Sequence, residues 1–279
     1  MTFKIEANEF RLLRDYIEKH CGIRVDENKS YLIETRLTAL MVENGCKTYT
    51  EFYYKALADT TRTLQEKIID AMTTNETLWF RDESPFSVLK NVLLPEYIKE
   101  LSEGKRQKVR IWSAACSTGQ EPYSMGITIQ ELLKGNRNVK PEQFEIVATD
   151  ISPTVLFLAR AGRYDPIVIA RGLSDEMRNR YFVQQGKVWI INDTIKNMVT
   201  FKKLNLQEDF SFIGKQDIVF CRNVMIYFSD QFKKEIFSKI ARLLRPSGYL
   251  FVGASESVIN YSTEYQMMNN QRALYYKVK

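Results

Sequence analysis

From residue 109 onward, short buried-type runs alternate with helical stretches, and few folds can accommodate that alternation. The strand candidates are 109–115, 145–150, 199–206, 217–222, 249–254 and 274–278. Helical stretches lie between them at 122–133, 153–161 and 229–244, the last stopped by "RPSGY". Parallel strands need long crossover connections, so this order predicts a mostly parallel sheet with helices on both faces. Ligands on such doubly wound sheets sit outside the carboxyl ends of the strands. The chemistry is therefore sought in the turn after each strand.

The part before the sheet has a different period. Phe10, Leu13 and Ile17 form one helical stripe, with Asn8 as its expected cap and Gly22 as its stop. Ile33, Leu37, Leu40 and Met41 form another, ending at Gly45. The stretches "TYTEFYYKALAD" and "RTLQEKIIDAMTTN" complete a small all-helical domain over 1–75. A helix in "ESPFSVLKNVLLPEYIKEL" then opens a second domain over 76–279. One segment interrupts the strand–helix rhythm. "RYFVQQGKVWIINDTIKNMVTFKKLNL" has β-rich runs around Gly186 and Asn192-Asp193, which predicts a small antiparallel β subdomain at about 180–200.

Composition excludes several classes of function. With 44% hydrophobic and 27% charged residues the chain is of ordinary globular composition. No run approaches the roughly 20 apolar residues of a membrane helix, so a cytoplasmic protein with no membrane insertion is expected. The four cysteines are widely spaced and the single histidine, His20, lies in a helical stretch away from the strand ends. No metal site is expected from such residues, and a histidine general base is excluded. Residues 1–75 carry 11 Lys+Arg against 12 Asp+Glu, leaving 29 against 22 in the remainder. A basic second domain suits an acidic partner, whether nucleic acid or a carboxylate-rich protein. Nothing indicates assembly, so a monomer is the default.

The turn "SAACSTGQEPYS" after the first strand resembles a nucleotide loop but contains one glycine, Gly119, and a carboxylate, Glu121. A carboxylate at a helix N-terminus would repel a pyrophosphate. The second strand ends at Asp150, placed to accept hydrogen bonds from ribose hydroxyls. The third ends near Asn205-Leu206, and the fourth in "CRNVMIYF", with Arg222, Asn223 and Tyr227. Together these suit a cationic, phosphate-free nucleoside, and S-adenosylmethionine has that chemistry. Plainer readings stand beside each residue. Glu121 could complement the helix dipole, Asp150 could cap the helix beginning at Pro153, and Asn205 could simply form a turn. "NETLWFRD" at 75–82, with Trp79 and Phe80 between polar residues, reads as a cleft wall, or else as a linker pinned by two aromatics.

"NETLWFRD", "STGQEPYS", "ATDIS", "LNL" and "FCRNVMIYF", in this order and spacing, resemble the CheR family of chemotaxis-receptor glutamate methyltransferases. The resemblance spans essentially the whole chain. It implies a Rossmann-like class I fold, S-adenosyl-L-methionine as methyl donor and S-adenosyl-L-homocysteine as product. It also implies chemoreceptor glutamates, on a cytoplasmic helical bundle, as acceptors. Carried over by motif, the cofactor contacts would be Asn75, Thr77, Arg81, Glu121, Asp150, Asn205, Leu206, Arg222 and Asn223. Arg81 and Tyr227 would lie nearest the transferred methyl. Family members that tether to a receptor C-terminal pentapeptide have a longer, glycine-containing loop in the β subdomain. Here "YFVQQGKVWIIN" is short, like members that work without the tether. The helix "SYLIETRLTALMVENG" has few basic residues after Arg36, where relatives often carry several for receptor docking.

Rival readings meet specific obstacles. A nicotinamide oxidoreductase needs a GxGxxG turn, which "STGQEP" does not supply. A methyltransferase acting on nucleic-acid amino groups would favour a (D/N)PPY-type fourth strand, from which "RNVMIY" departs. A catalytically silent scaffold would not need this set of cofactor motifs.

Overall fold

The computed structural model describes residues 3–270 and 273–279. Four helices, α1 (Ala7–Cys21), α2 (Ser30–Glu43), α3 (Tyr49–Ala58) and α4 (Thr63–Met72), bundle around a core of their own. Leu13, Ile17, Ile33, Leu37, Phe52 and Ile68 are all fully buried there, as the helical stripes predict. The start of α1 differs from expectation. Glu6 caps it in a reciprocal box with Glu9, and Asn8 lies inside the helix.

The next helical run, α5 (Ser84–Val88) and α6 (Leu94–Ser102), is joined by a wide π turn at Leu89–Leu93. Pro95 has no amide to give to the preceding turn, and the wider turn accommodates that gap. Then follow β1 (Val109–Ala114), α7 (Gln120–Leu133), β2 (Phe144–Asp150), α8 (Pro153–Ala161), β3 (Arg163–Tyr164), α9 (Pro166–Ala170) and α10 (Asp175–Tyr181). The chain continues through β4 (Phe182–Gln185), β5 (Val188–Ile191), α11 (Asp193–Lys196), β6 (Val199–Lys203), β7 (Gln216–Cys221) and α12 (Asp230–Leu243). It ends with β8 (Leu244–Phe251), β9 (Tyr265–Asn270) and β10 (Ala273–Val278).

The large sheet has the order β6-β2-β1-β7-β8-β10-β9. Its first five strands run parallel, and β10 runs antiparallel to both of its neighbours, β8 and β9. Strand order reverses beside β1, so the crevice between the carboxyl ends of β1 and β7 is where this topology puts a ligand. A second sheet, β3-β5-β4, forms the antiparallel excursion. Among the described residues no helix is long and apolar enough to cross a membrane.

Several boundaries differ from the sequence reading. β6 ends at Lys203, not 206, because its pairing with β2 stops at Asp150 and the chain turns away. β8 begins at Leu244, so "RPSGY" is a bulge within a strand and not a stop before one. The register shifts opposite Asp217, with Ser247 at φ 64. β9 was missed, because its polar run "YQMMNN" lies exposed at the sheet edge and shows little of the apolar pattern expected of a strand. Asn192-Asp193 opens α11 and is not a second hairpin turn.

Trp79 is no cleft wall. It is fully buried, edge-on to Tyr164 at 4.9 Å and Phe182 at 5.2 Å, and pins the interdomain segment to the small sheet. Its backbone N–H donates to the Arg171 carbonyl, and Gly172 passes so close that a Cβ there would meet the Trp79 carbonyl oxygen at 2.0 Å. Gly172 also sits at φ 102. Gly172→Ala is therefore expected to lose at least about 2 kcal/mol of stability, measured by urea unfolding. A loss below about 0.5 kcal/mol would contradict this packing.

Candidate active site

The turn after β1 is tightly wound. Ala115 and Ser117, neither of them glycine, take φ 58 and 50 before Gly119 at φ 95. Such strain persists only where surrounding contacts fix it. Here the Ser117 N–H donates to the Asp150 carboxylate at 2.8 Å, and the Ser117 hydroxyl donates to the Asn75 carbonyl at 2.8 Å. The other Asp150 oxygen accepts from the Ser152 N–H at 3.0 Å. Ser152 itself caps α8 through its side chain, so Asp150 is not the cap.

All ten residues singled out from the sequence line one cavity, partly open to solvent. Asp150 stands at the end of β2 and Glu121 in the first turn of α7. Asn75, Thr77 and Arg81 come from the interdomain segment, and Asn205 and Leu206 from the loop after β6. Arg222, Asn223 and Tyr227 follow β7.

Their hydrogen bonds divide the ten into different roles. Glu121 accepts from the Ser113 hydroxyl at 2.8 Å and from the Arg222 guanidinium at 2.9 Å, with 13% of its side chain exposed. It does more than complement a helix dipole. Arg222 is buried, and its other terminal nitrogen donates to the Arg81 carbonyl at 2.8 Å and to Asp82 at 2.6 Å. Its terminal donors are thus committed to protein, while its Nε is buried without a partner. Arg81 is half-buried, with Nη1 on the Glu76 carbonyl at 2.9 Å. Asn205 behaves as a turn former. Its oxygen accepts from the Gln207 N–H, and its amide donates to the His20 carbonyl at 2.8 Å.

That last bond corrects the reading of His20, which lies against the loop after β6 and not away from the strand ends. The end of α1 and its following loop reach the site in two further ways. The Arg24 N–H donates to the Tyr227 carbonyl at 2.8 Å, and Ile23 bridges to Phe228 as an antiparallel pair. Cys21, Ile23, Thr73 and Thr74 consequently line the cavity alongside the strand-end residues. The sequence reading missed them, because nothing local marks an apolar residue at the end of a helix as the wall of a site some 200 positions away. It also missed Cys116, whose buried thiol is pushed well above its usual range and stays neutral.

Residues 8–73 match the family described as "CheR methyltransferase, all-alpha domain", and residues 75–274 match "CheR methyltransferase, SAM binding domain". The chain belongs to the CheR methyltransferase family. It is 45% identical over 272 residues to "Chemotaxis protein methyltransferase Cher2" of Pseudomonas putida, spanning 97% of this chain and 98% of that one. It is 41% identical over 276 residues to "Chemotaxis protein methyltransferase 1" of Vibrio cholerae, spanning 99% and 98%.

The donor set of this CheR chain fits S-adenosylmethionine. Two carboxylates from adjoining strand ends face one cavity, and the turn between them lacks the glycines of a phosphate cradle. Burial is the main influence on both acids and raises the Glu121 and Asp150 carboxyls above their ordinary values of 4.5 and 3.8. For Glu121 the opposing pull comes chiefly from Arg222, and for Asp150 from the backbone N–H groups of Ser152 and Ser117. A raised carboxyl contributes stability in full below its unfolded value, and loses it as pH climbs through the folded one. Removing Arg222 deepens that loss, because Glu121 is left buried and unpaired. Arg222→Met is expected to cost about 3–5 kcal/mol at pH 7 and less at pH 5, because falling pH favours the neutral form of a buried Glu121 left without its partner. Urea unfolding at the two pH values checks this; an equal cost at both would rule out the buried pair as the cause.

Proposed function

We propose that this chain transfers a methyl group from S-adenosyl-L-methionine to glutamate side chains on the cytoplasmic helical bundle of chemoreceptors. The products are glutamate methyl esters and S-adenosyl-L-homocysteine, and the setting is the cytoplasm. The observation that carries this reading is the pair Glu121 and Asp150 facing a common cavity between β1, β2 and β7. The printed names of the relatives, chemotaxis protein methyltransferases, support the receptor as partner. In this reading residues 1–75 form a helical domain that closes the site, residues 76–279 form the methyltransferase domain, and about 180–200 is an inserted β subdomain.

Bound S-adenosyl-L-methionine supplies a sulfonium methyl that a carboxylate can attack directly. A glutamate acceptor is already ionised at neutral pH, its reference pKa being about 4.3, so the chain needs no general base. Among the residues lining the cavity there is no histidine. The protein's work is then to orient and to exclude water. Asp150 serves the ribose hydroxyls, with its own position fixed by two backbone amides. Glu121, held by Ser113 and Arg222, meets the cationic end of the donor. Asn75, Thr77, Leu206 and Asn223 complete the wall, and Asn205 holds the adjoining loop. Arg81 offers a planar fork of donors to the acceptor carboxylate, and Tyr227 closes the opposite flank of the reacting groups. The α1 end and the 73–74 segment cover the cavity and strip water from it.

The test is label transfer. With tritiated S-adenosylmethionine the protein is expected to mark a receptor cytoplasmic fragment, and mild alkali should release the label as volatile methanol, as an ester requires. Arg81→Ala is expected to lower turnover at least about tenfold, on the order of 1.4 kcal/mol. Alkali-stable label, label in DNA or RNA instead, or unchanged turnover in that variant would each overturn the corresponding part of the reading.

The β4–β5 hairpin turns over two residues, Gly186 and Lys187, leaving no long loop to grip a peptide. That brevity supports tether independence. Titration with a receptor C-terminal pentapeptide is expected to show no saturable heat up to millimolar concentration; micromolar binding would refute it.

A further inference from the structure

After β8 the chain turns at Gly253 and brings Glu256 beneath the loop that follows β7. Glu256 is 8% exposed, yet among the described residues it forms no salt bridge with any lysine or arginine. A buried carboxylate without a counter-ion is costly unless hydrogen bonds replace the cation. Three backbone amides do so here. One carboxylate oxygen accepts from the Gly253 N–H at 2.6 Å and the Asn223 N–H at 2.8 Å. The other accepts from the Ile226 N–H at 3.3 Å.

The two ends of that loop are the parts that matter for the cavity. Asn223 and Tyr227 both line it, and Glu256 does not. Asn223 sits at φ 57, a left-handed conformation that costs a non-glycine residue free energy and needs outside support. Met225–Tyr227 form a single turn of 3₁₀ helix, too short to hold itself. The approach of β8 to this loop is also unusually close. A Cβ at Gly253 would meet the Asn223 side-chain nitrogen at 2.6 Å and the Glu256 carboxylate at 2.8 Å, so only glycine leaves room for the carboxylate to enter.

We propose that Glu256 is a positioning residue for methyl transfer, its carboxylate fixing the 223–227 loop so that Asn223 and Tyr227 keep their places in the cavity. This rests on the functional reading above for its catalytic consequence, but the clamp itself is a property of the loop. Glu256→Gln separates the two. Its amide oxygen can still serve Asn223 and Gly253, while its NH₂ faces the Ile226 N–H, donor against donor. Glu256→Ala removes all three bonds and serves as the full deletion.

Hydrogen exchange of the full chain, read on the peptide covering 222–229, needs no acceptor. Glu256→Gln is expected to speed exchange there about tenfold, with β1 and β2 unchanged and affinity for S-adenosylhomocysteine within threefold of the parent. In the label-transfer assay kcat is expected to fall about tenfold with the acceptor KM within twofold. In a Tyr227→Phe background the same change should cost less than twofold, because the group it positions is already gone. Unchanged exchange at 222–229 would overturn the clamp. Equal kcat losses in both backgrounds would overturn positioning through Tyr227, and so would a tenfold loss of S-adenosylhomocysteine affinity with kcat intact. If the parent protein transfers no label, the functional reading falls by itself, and the exchange result still decides the clamp.

Discussion

Arg222 carries more of this structure than any other side chain near the cavity. Its guanidinium joins the end of β7 to α7 through Glu121, and to the interdomain segment through Asp82 and the Arg81 carbonyl. These three pieces lie far apart in sequence. Inside a low-dielectric crevice a charge left unpaired is heavily penalised, so each partner holds the others in one geometry. The carboxylate that faces the cavity is positioned as a consequence of pairing on its far side. Glu121 is thereby held at the wall of the cavity.

The all-helical part closes the same crevice. One tie to the sheet is made by backbone groups at the C-terminal end of α1 and just beyond: the His20 carbonyl to Asn205, the Glu18 carbonyl to Gln207, and the Arg24 N–H to the Tyr227 carbonyl. On the opposite flank Asp70 accepts from the Ser152 and Thr154 hydroxyls. The last carbonyls of a helix lack intrahelical partners; here the loop after β6 satisfies that of His20 and adds a second donor to that of Glu18, which Gly22 already caps. A helix terminus and a strand-end loop thereby complete each other, and the cavity gains its apolar lid from Cys21 and Ile23.

Much of the architecture was legible because periodicity reports burial. The strands with strong apolar runs, β1, β2 and β7, fall where expected to within a residue. The edge strand β9 escaped notice because an edge strand shows solvent more of its residues. The helix α12 does end just before "RPSGY", but β8 already begins at Leu244 and takes that segment in as a bulge, which proline, serine and glycine do not distinguish from a loop. The same split runs through the site. Glu121 and Asp150 could be named because a carboxylate at a strand end is locally odd. For Asn205 the sequence left a ligand contact and a turn both open, and the bonds to Gln207 and His20 show it holding a turn at the cavity wall. Glu256 drew no attention, because a glutamate after a strand is ordinary until three amides are found converging on it.

By itself the sequence determined the order of the main strands and helices, the change from helical stripes to strand–helix alternation, and the acidic chemistry at the strand ends. Those features are local, written in side-chain type and in spacings of two to four residues. Tertiary structure alone decided which charges are paired, which walls the helical part contributes, and which groups hold the β7 loop. Such facts depend on contacts between segments 100 to 200 positions apart, where the energy of a group is set by its neighbours and its burial and leaves no mark in the residues on either side.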